Sequence, residues 1–156
     1  TEGRLKFEVF QVGEIMNHAD ILDGVGKGIV AAGTDFPSYW AGKDIAFDLL
    51  GTFPVSLSFL DFAMWYQNGG GKAFYQELYG KYGCVYFPYM LMGPESGFRT
   101  NKPIKSTADF KGLKLRTAGY MTGKILQELG AAPTSVPRIV VSTVTMRATP
   151  SQIRPA

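Results

Sequence analysis

The sequence predicts an α/β domain with a mainly parallel sheet flanked by helices. Three observations carry that reading. Apolar segments with strand character alternate with helical ones along the chain. At 156 residues the chain has one domain's length or that of two very small ones. With 46% hydrophobic and 19% charged residues it has enough apolar side chains for a packed core.

Leu5, Phe7 and Val9 alternate with their neighbours and predict a strand over about residues 4–12, ended by Gly13. Asn17 can cap a helix, and Ile21, Leu22 and Val25 share one helical face that Gly26 and Gly28 close. Ile29–Thr34 is a short apolar run, a candidate buried strand, and Pro37 opens a loop carrying Tyr39 and Trp40. Ile45, Phe47, Leu49 and Leu50 suggest a short helix broken by Pro54. A helix is expected over Leu57–Tyr66, a stop at Asn68–Gly71, and a further helix over Lys72–Tyr82. Cys84–Pro88 and Gly97–Asn101 are candidate strands. Ser106 with Asp109 three residues on is a capping signature for one helical turn. Leu113–Thr117 is a predicted strand, followed after Gly119 by a helix over Met121–Leu129, with Gly130 and Pro133 as terminators.

Residues 138–156 differ in character. They hold Arg138, Arg147 and Arg154, no acid, and a β-branched stretch from Ile139 to Thr145. The organisation expected is a body over 1–137 and a divergent, strand-prone or flexible tail over 138–156. Of the sixteen basic residues, three lie in that tail, which leaves thirteen against thirteen acids in the body. The pI near 9.0 therefore belongs to the tail. A nucleic-acid binder normally carries a basic stripe on its folded body, so no nucleic-acid partner is expected. No apolar run approaches the roughly 20 residues of a membrane span.

Catalysis and cofactors find little support. Gly24-Val-Gly26-Lys-Gly28 sits at the end of a predicted helix, whereas a dinucleotide fingerprint needs a strand before it and a helix after it. Gly69-Gly70-Gly71 lacks the Gly-Lys-Ser/Thr ending of a phosphate loop. His18 is the sole histidine and Cys84 the sole cysteine, so neither a Cys-based zinc site nor a triad is in view. The expectation is a non-enzyme with no cofactor and no metal site.

Two features suit small-molecule binding. Tyr39 and Trp40 follow a predicted strand, where ligands of open parallel sheets bind. They either wall a pocket or cover the core edge. Arg116 ends a predicted strand, where its planar fork can take both oxygens of a carboxylate. By spacing alone a surface salt bridge is the preferred reading of that arginine.

The run Asn101-Lys-Pro-Ile-Lys-Ser-Thr-Ala-Asp-Phe-Lys-Gly-Leu-Lys-Leu-Arg116 changes the weighting. It resembles the signature of the solute-binding (DctP-type) subunits of tripartite ATP-independent periplasmic (TRAP) transporters. Phe10-Gln-Val-Gly-Glu14, Tyr39-Trp40-Ala-Gly-Lys43 and Ala118–Pro137 agree with it, so the resemblance covers about residues 3–137. It implies a partial periplasmic-binding-protein-like lobe, a truncated receptor that is periplasmic in location and passes an organic acid to membrane permease subunits. Arg116 then anchors the ligand carboxylate. The Tyr39–Lys43 segment is similar to that of the branch taking 2-oxo and 2-hydroxy acids, some with a metal ion beside the carboxylate. Twenty residues before Arg116 the family often carries Arg or Gln; here stands Ser96, with Phe98 and Arg99 nearby as further ligand-binding candidates. The alternative is a non-transporting interaction protein, a homo-oligomer formed through apolar surface that the family's second lobe would cover.

Overall fold

The computed structural model describes residues 8–34, 36–51, 57–89, 97–135 and 145–146. Among these lie four short strands, β1 (Val9–Phe10), β2 (Lys114–Thr117), β3 (Ala132–Ser135) and β4 (Thr145–Met146). The α-helices are α1 (Ile21–Gly26), α2 (Ala46–Gly51), α3 (Phe59–Asn68), α4 (Gly71–Gly80) and α5 (Tyr120–Glu128). Single 3-10 turns occur at His18–Asp20, Pro37–Trp40 and Thr107–Phe110. The chain groups into two compact units.

The first unit contains the described residues up to Phe36, Gln76–Tyr86 and β4. Ile21 and Leu22 of α1, Val30, Leu78 and Tyr79 of α4, and Cys84 are buried. The Cys84 thiol donates to the Leu22 carbonyl at 3.4 Å. Burial, and then the Asp23 carboxylate, push its pKa up, so this sulfur stays a protonated packing group. A Cβ at Gly26 would run into the Tyr82 carbonyl, which is why glycine stands there.

Three expected strands take other forms. Residues 29–34 form bends and irregular backbone with an isolated bridge at Ala32, and Cys84–Pro88 and 97–101 are irregular. β-propensity makes a strand only where a neighbour supplies hydrogen bonds. At Tyr86 the side-chain amide of Gln76 does that work instead: its Nε2 donates to the Tyr86 carbonyl, and its Oε1 accepts from the Tyr86 N–H at 3.4 Å. Of the expected strand 4–12, Val9–Phe10 is a strand and 4–7 lie outside the described residues. Its partner is β4, antiparallel, with Val9 opposite Met146 and Phe10 opposite Thr145. The β-branched tail thus supplies a strand whose partner the sequence did not name. The rest of 138–156, and Pro54, lie outside the described residues.

The second unit contains Pro37–Tyr75 and the described residues from Phe87 to Ser135. Ser58 caps α3, accepting from the Asp61 N–H at 3.2 Å and donating to its carboxylate at 2.6 Å. The turn into α4 uses Gly70 at φ +85°, a left-handed conformation suited to glycine. Phe62, Trp65, Tyr66 and Tyr75 then stack and cross edges with centroids 5.6–6.5 Å apart. The Tyr75 hydroxyl donates to the Leu50 carbonyl at the end of α2.

β2 and β3 pair in parallel with Leu115 opposite Pro133 and Arg116 opposite Thr134, and α5 connects them. This β2–α5–β3 unit places the chain in the α/β class. Leu115 points inward with Leu126, Ala131 and Phe110, flanked by Ile104, Leu113 and Leu129. Pro133 reads in the sequence as a terminator; instead it sits in β3, a position a proline can take on an edge strand.

The Ser106–Asp109 turn forms as predicted. The Asp109 carboxylate accepts from the N–H groups of Lys105 at 2.9 Å and Ser106 at 2.8 Å, and from the Ser106 hydroxyl at 3.1 Å. Those donors, in that order, hold its carboxyl below the usual range. A lowered folded pKa gives stability that is complete above the unfolded value, about 3.9, and is lost as pH falls through the folded one. We expect amide protection factors at Lys105 and Ser106 to drop only below about pH 4 in the wild type. In Asp109→Asn they should be flat across that range; a wild-type drop near neutrality would contradict this.

Candidate functional site

β2 alternates exposed and buried residues, so Leu115 and Thr117 face the core while Lys114 and Arg116 face outward. Arg116 therefore leaves the strand end on a rigid stem. Its Nη2 donates to the Tyr39 hydroxyl at 3.3 Å. Residues 77 apart in sequence thus meet, and both belong to the second unit.

The turn carrying Tyr39 is held by α2. Trp40 is buried and meets Phe47, itself fully buried, edge-on at 5.6 Å. Ser38 is buried too, and a Cβ at Gly51 would lie 2.5 Å from its Oγ. Tyr39, half-buried between them, is left at the surface beside Arg116. The two neighbouring aromatics thus divide the labour: Trp40 fills the core and Tyr39 reaches the guanidinium.

Two of the remaining sequence candidates, Phe98 and Arg99, belong to the same unit. Phe98 packs edge-on against Phe110 at 5.3 Å. Arg99 lines an open groove of about 430 Å³ along the flank of β2, with Lys102, Asp109 and Lys114. Ser96 lies outside the described residues.

One buried group went unnoticed in the sequence. Asp48 of α2 is fully buried and its Oδ2 accepts from the Met121 N–H, in the first turn of α5, at 2.6 Å. The available signal was an acid inside Phe47-Asp48-Leu49-Leu50, an apolar context in which a carboxylate needs a partner.

Residues 1–140 match the family of bacterial extracellular solute-binding proteins, family 7. The chain is 34% identical over 130 residues to a monocarboxylate 2-oxoacid-binding periplasmic protein of Nostoc, covering 83% of this chain and 35% of that protein. It resembles the crystal structure of a TRAP periplasmic solute-binding protein from Pseudoalteromonas atlantica with bound sodium and pyruvate: TM-score 0.72, 34% identity, 78% of this chain and 36% of the other. A Colwellia psychrerythraea counterpart with calcium and pyruvate gives a TM-score of 0.71 at 34% identity, over 76% and 36%. The chain thus spans little more than a third of the length of these relatives. Sodium or calcium accompanies the ligand in both crystal structures. Among the described residues here, no three His, Cys, Asp or Glu side chains come together to hold a cation. Nor is any described helix long and apolar enough to cross a membrane.

Proposed function

This chain belongs to family 7 of the bacterial extracellular solute-binding proteins, a family of transport receptors rather than enzymes, and on that basis we propose that it binds a small monocarboxylate of the 2-oxo or 2-hydroxy acid class through Arg116. The supporting observation is the 3.3 Å contact between the Arg116 guanidinium and the Tyr39 hydroxyl. A fork of N–H donors on a strand end takes both carboxylate oxygens, and a phenol beside it meets the oxygen on the next carbon. Trp40 backs this site from the core, and Phe98, Arg99 and Ser96 are candidates for its flank. In the complete receptor the same site would present the acid, in the periplasm, to membrane permease subunits.

An outward-facing ion pair is worth roughly 0–1 kcal/mol. Binding by this span of chain should therefore be on the order of millimolar or weaker. Calorimetry or NMR titration with pyruvate and with pyruvamide tests the proposal. The amide keeps the shape and loses the charge. Binding of pyruvate but not of pyruvamide supports the carboxylate reading, and equal binding of the two would refute it.

A second reading has an observation of its own. On α3 and α4, Phe59, Leu60, Met64 and Phe74 are more than half exposed. Apolar surface of this kind favours self-association. Sedimentation across the micromolar range separates the two readings: a dimer that ignores pyruvate favours the interaction protein.

A further inference from the structure

Helix α5 starts directly after the segment Arg116-Thr117-Ala118 and has Gly119 as its N-cap residue at φ +85°. That backbone conformation calls for glycine, and glycine has no side chain with which to cap a helix. The N–H groups of the first turn still need acceptors. Asp48 supplies one from another helix, its Oδ2 lying 2.6 Å from the Met121 nitrogen. Met121 is the second helical residue, the place a capping side chain normally serves. The carboxylate also opposes the positive end of the α5 dipole.

The same helix α2 also holds the Tyr39 turn, through Phe47 against Trp40 and Gly51 against Ser38. One short helix therefore grips both halves of the site, the turn with Tyr39 and the start of α5 that follows Arg116. We propose that Asp48 is the positioning residue of the carboxylate site: by capping α5 from α2 it fixes the Arg116 guanidinium against the Tyr39 hydroxyl. The ligand role of that pair rests on the function proposed above, whereas the geometry of the pair does not.

The test has a ligand-free arm and a ligand arm. In the ligand-free protein, the Arg116 side-chain Nε–H and the Met121 amide are followed by NMR in wild type, Tyr39→Phe, Asp48→Ala and Asp48→Asn. Asp48→Ala should move the Met121 amide and shift the Arg116 signal to the position it has in Tyr39→Phe. Asp48→Asn keeps an acceptor oxygen and should hold the Arg116 signal in place while the Met121 amide moves. A folded Asp48→Ala whose Arg116 signal is unmoved overturns the inference. If that variant does not fold, Asp48→Asn decides: displacement of Arg116 despite the retained acceptor counts against it. In the ligand arm, Asp48→Ala should weaken pyruvate binding about tenfold, and adding Tyr39→Phe should cost nothing more. An additive loss in the double variant also overturns it. Should the wild type not bind pyruvate at all, the carboxylate-receptor reading fails, and the ligand-free arm still decides the role of Asp48.

Discussion

Arg116→Ala is expected to abolish carboxylate binding while leaving the fold intact. Arg116 is exposed on β2, so its truncation opens no cavity. What it removes is the charge and the fork. Hydrogen bonds to charged groups contribute about 1.5–3 kcal/mol, and solvent screening reduces that at an exposed site. Against a weak starting affinity, that loss puts binding beyond detection. Arg116→Lys keeps the charge and gives up the planar pair of donors, so it should fall between, weaker than wild type by roughly tenfold. Calorimetric titration of both variants with pyruvate and lactate, alongside thermal melts, checks this. Unchanged binding in a folded Arg116→Ala would remove Arg116 from the site.

The largest effect on stability should come from Phe47→Ala. Phe47 is fully buried, and its ring supports Trp40, which is itself only 5% exposed. Truncating a core phenylalanine costs about 3–5 kcal/mol through lost transfer energy and the cavity left behind. For a chain of this size that is a fall in melting temperature on the order of 10 °C. The functional consequence follows from place rather than contact. Without Phe47 the Trp40 turn loses its support, and Tyr39 loses its fixed position beside Arg116. Pyruvate affinity should therefore drop even at temperatures where Phe47→Ala is still folded. Phe47→Leu, which keeps most of the volume, should recover much of both. Denaturant titration and calorimetry at low temperature provide the comparison, and full affinity in a destabilised Phe47→Ala would break the link drawn between core and site.

How far the sequence led can be judged from particular residues. β2 and α5 were legible because alternation ends at Gly119, where a change of period meets a glycine. The Ser106–Asp109 turn was legible because capping chemistry is local: donors and acceptor lie within four residues. β3 was not, since Pro133 looks like a breaker until an edge position is known. The apolar runs at 29–34 and 84–88 read as strands yet form none, because strand formation depends on a partner that the run itself does not encode. Ile29, Val85 and Phe87 end up exposed, with no ladder to join among the described residues. At the site, Arg116 and Tyr39 were each singled out, though nothing local announced that they meet. Nor could local sequence separate Tyr39 from Trp40; the single 3-10 turn sends one ring to the core and leaves the other beside Arg116. Asp48 stayed hidden for the same reason, its partner being 73 residues away.

The proposed contact between a ligand carboxylate and Arg116 is most directly tested on the arginine itself. Titrating pyruvate into protein with nitrogen-15 in its arginine side chains reads each guanidinium separately. We expect the Arg116 resonances to shift in a saturable manner, with the Tyr39 ring following and Arg116→Lys assigning the signal. A saturable shift at another arginine, with Arg116 unmoved, would contradict the account.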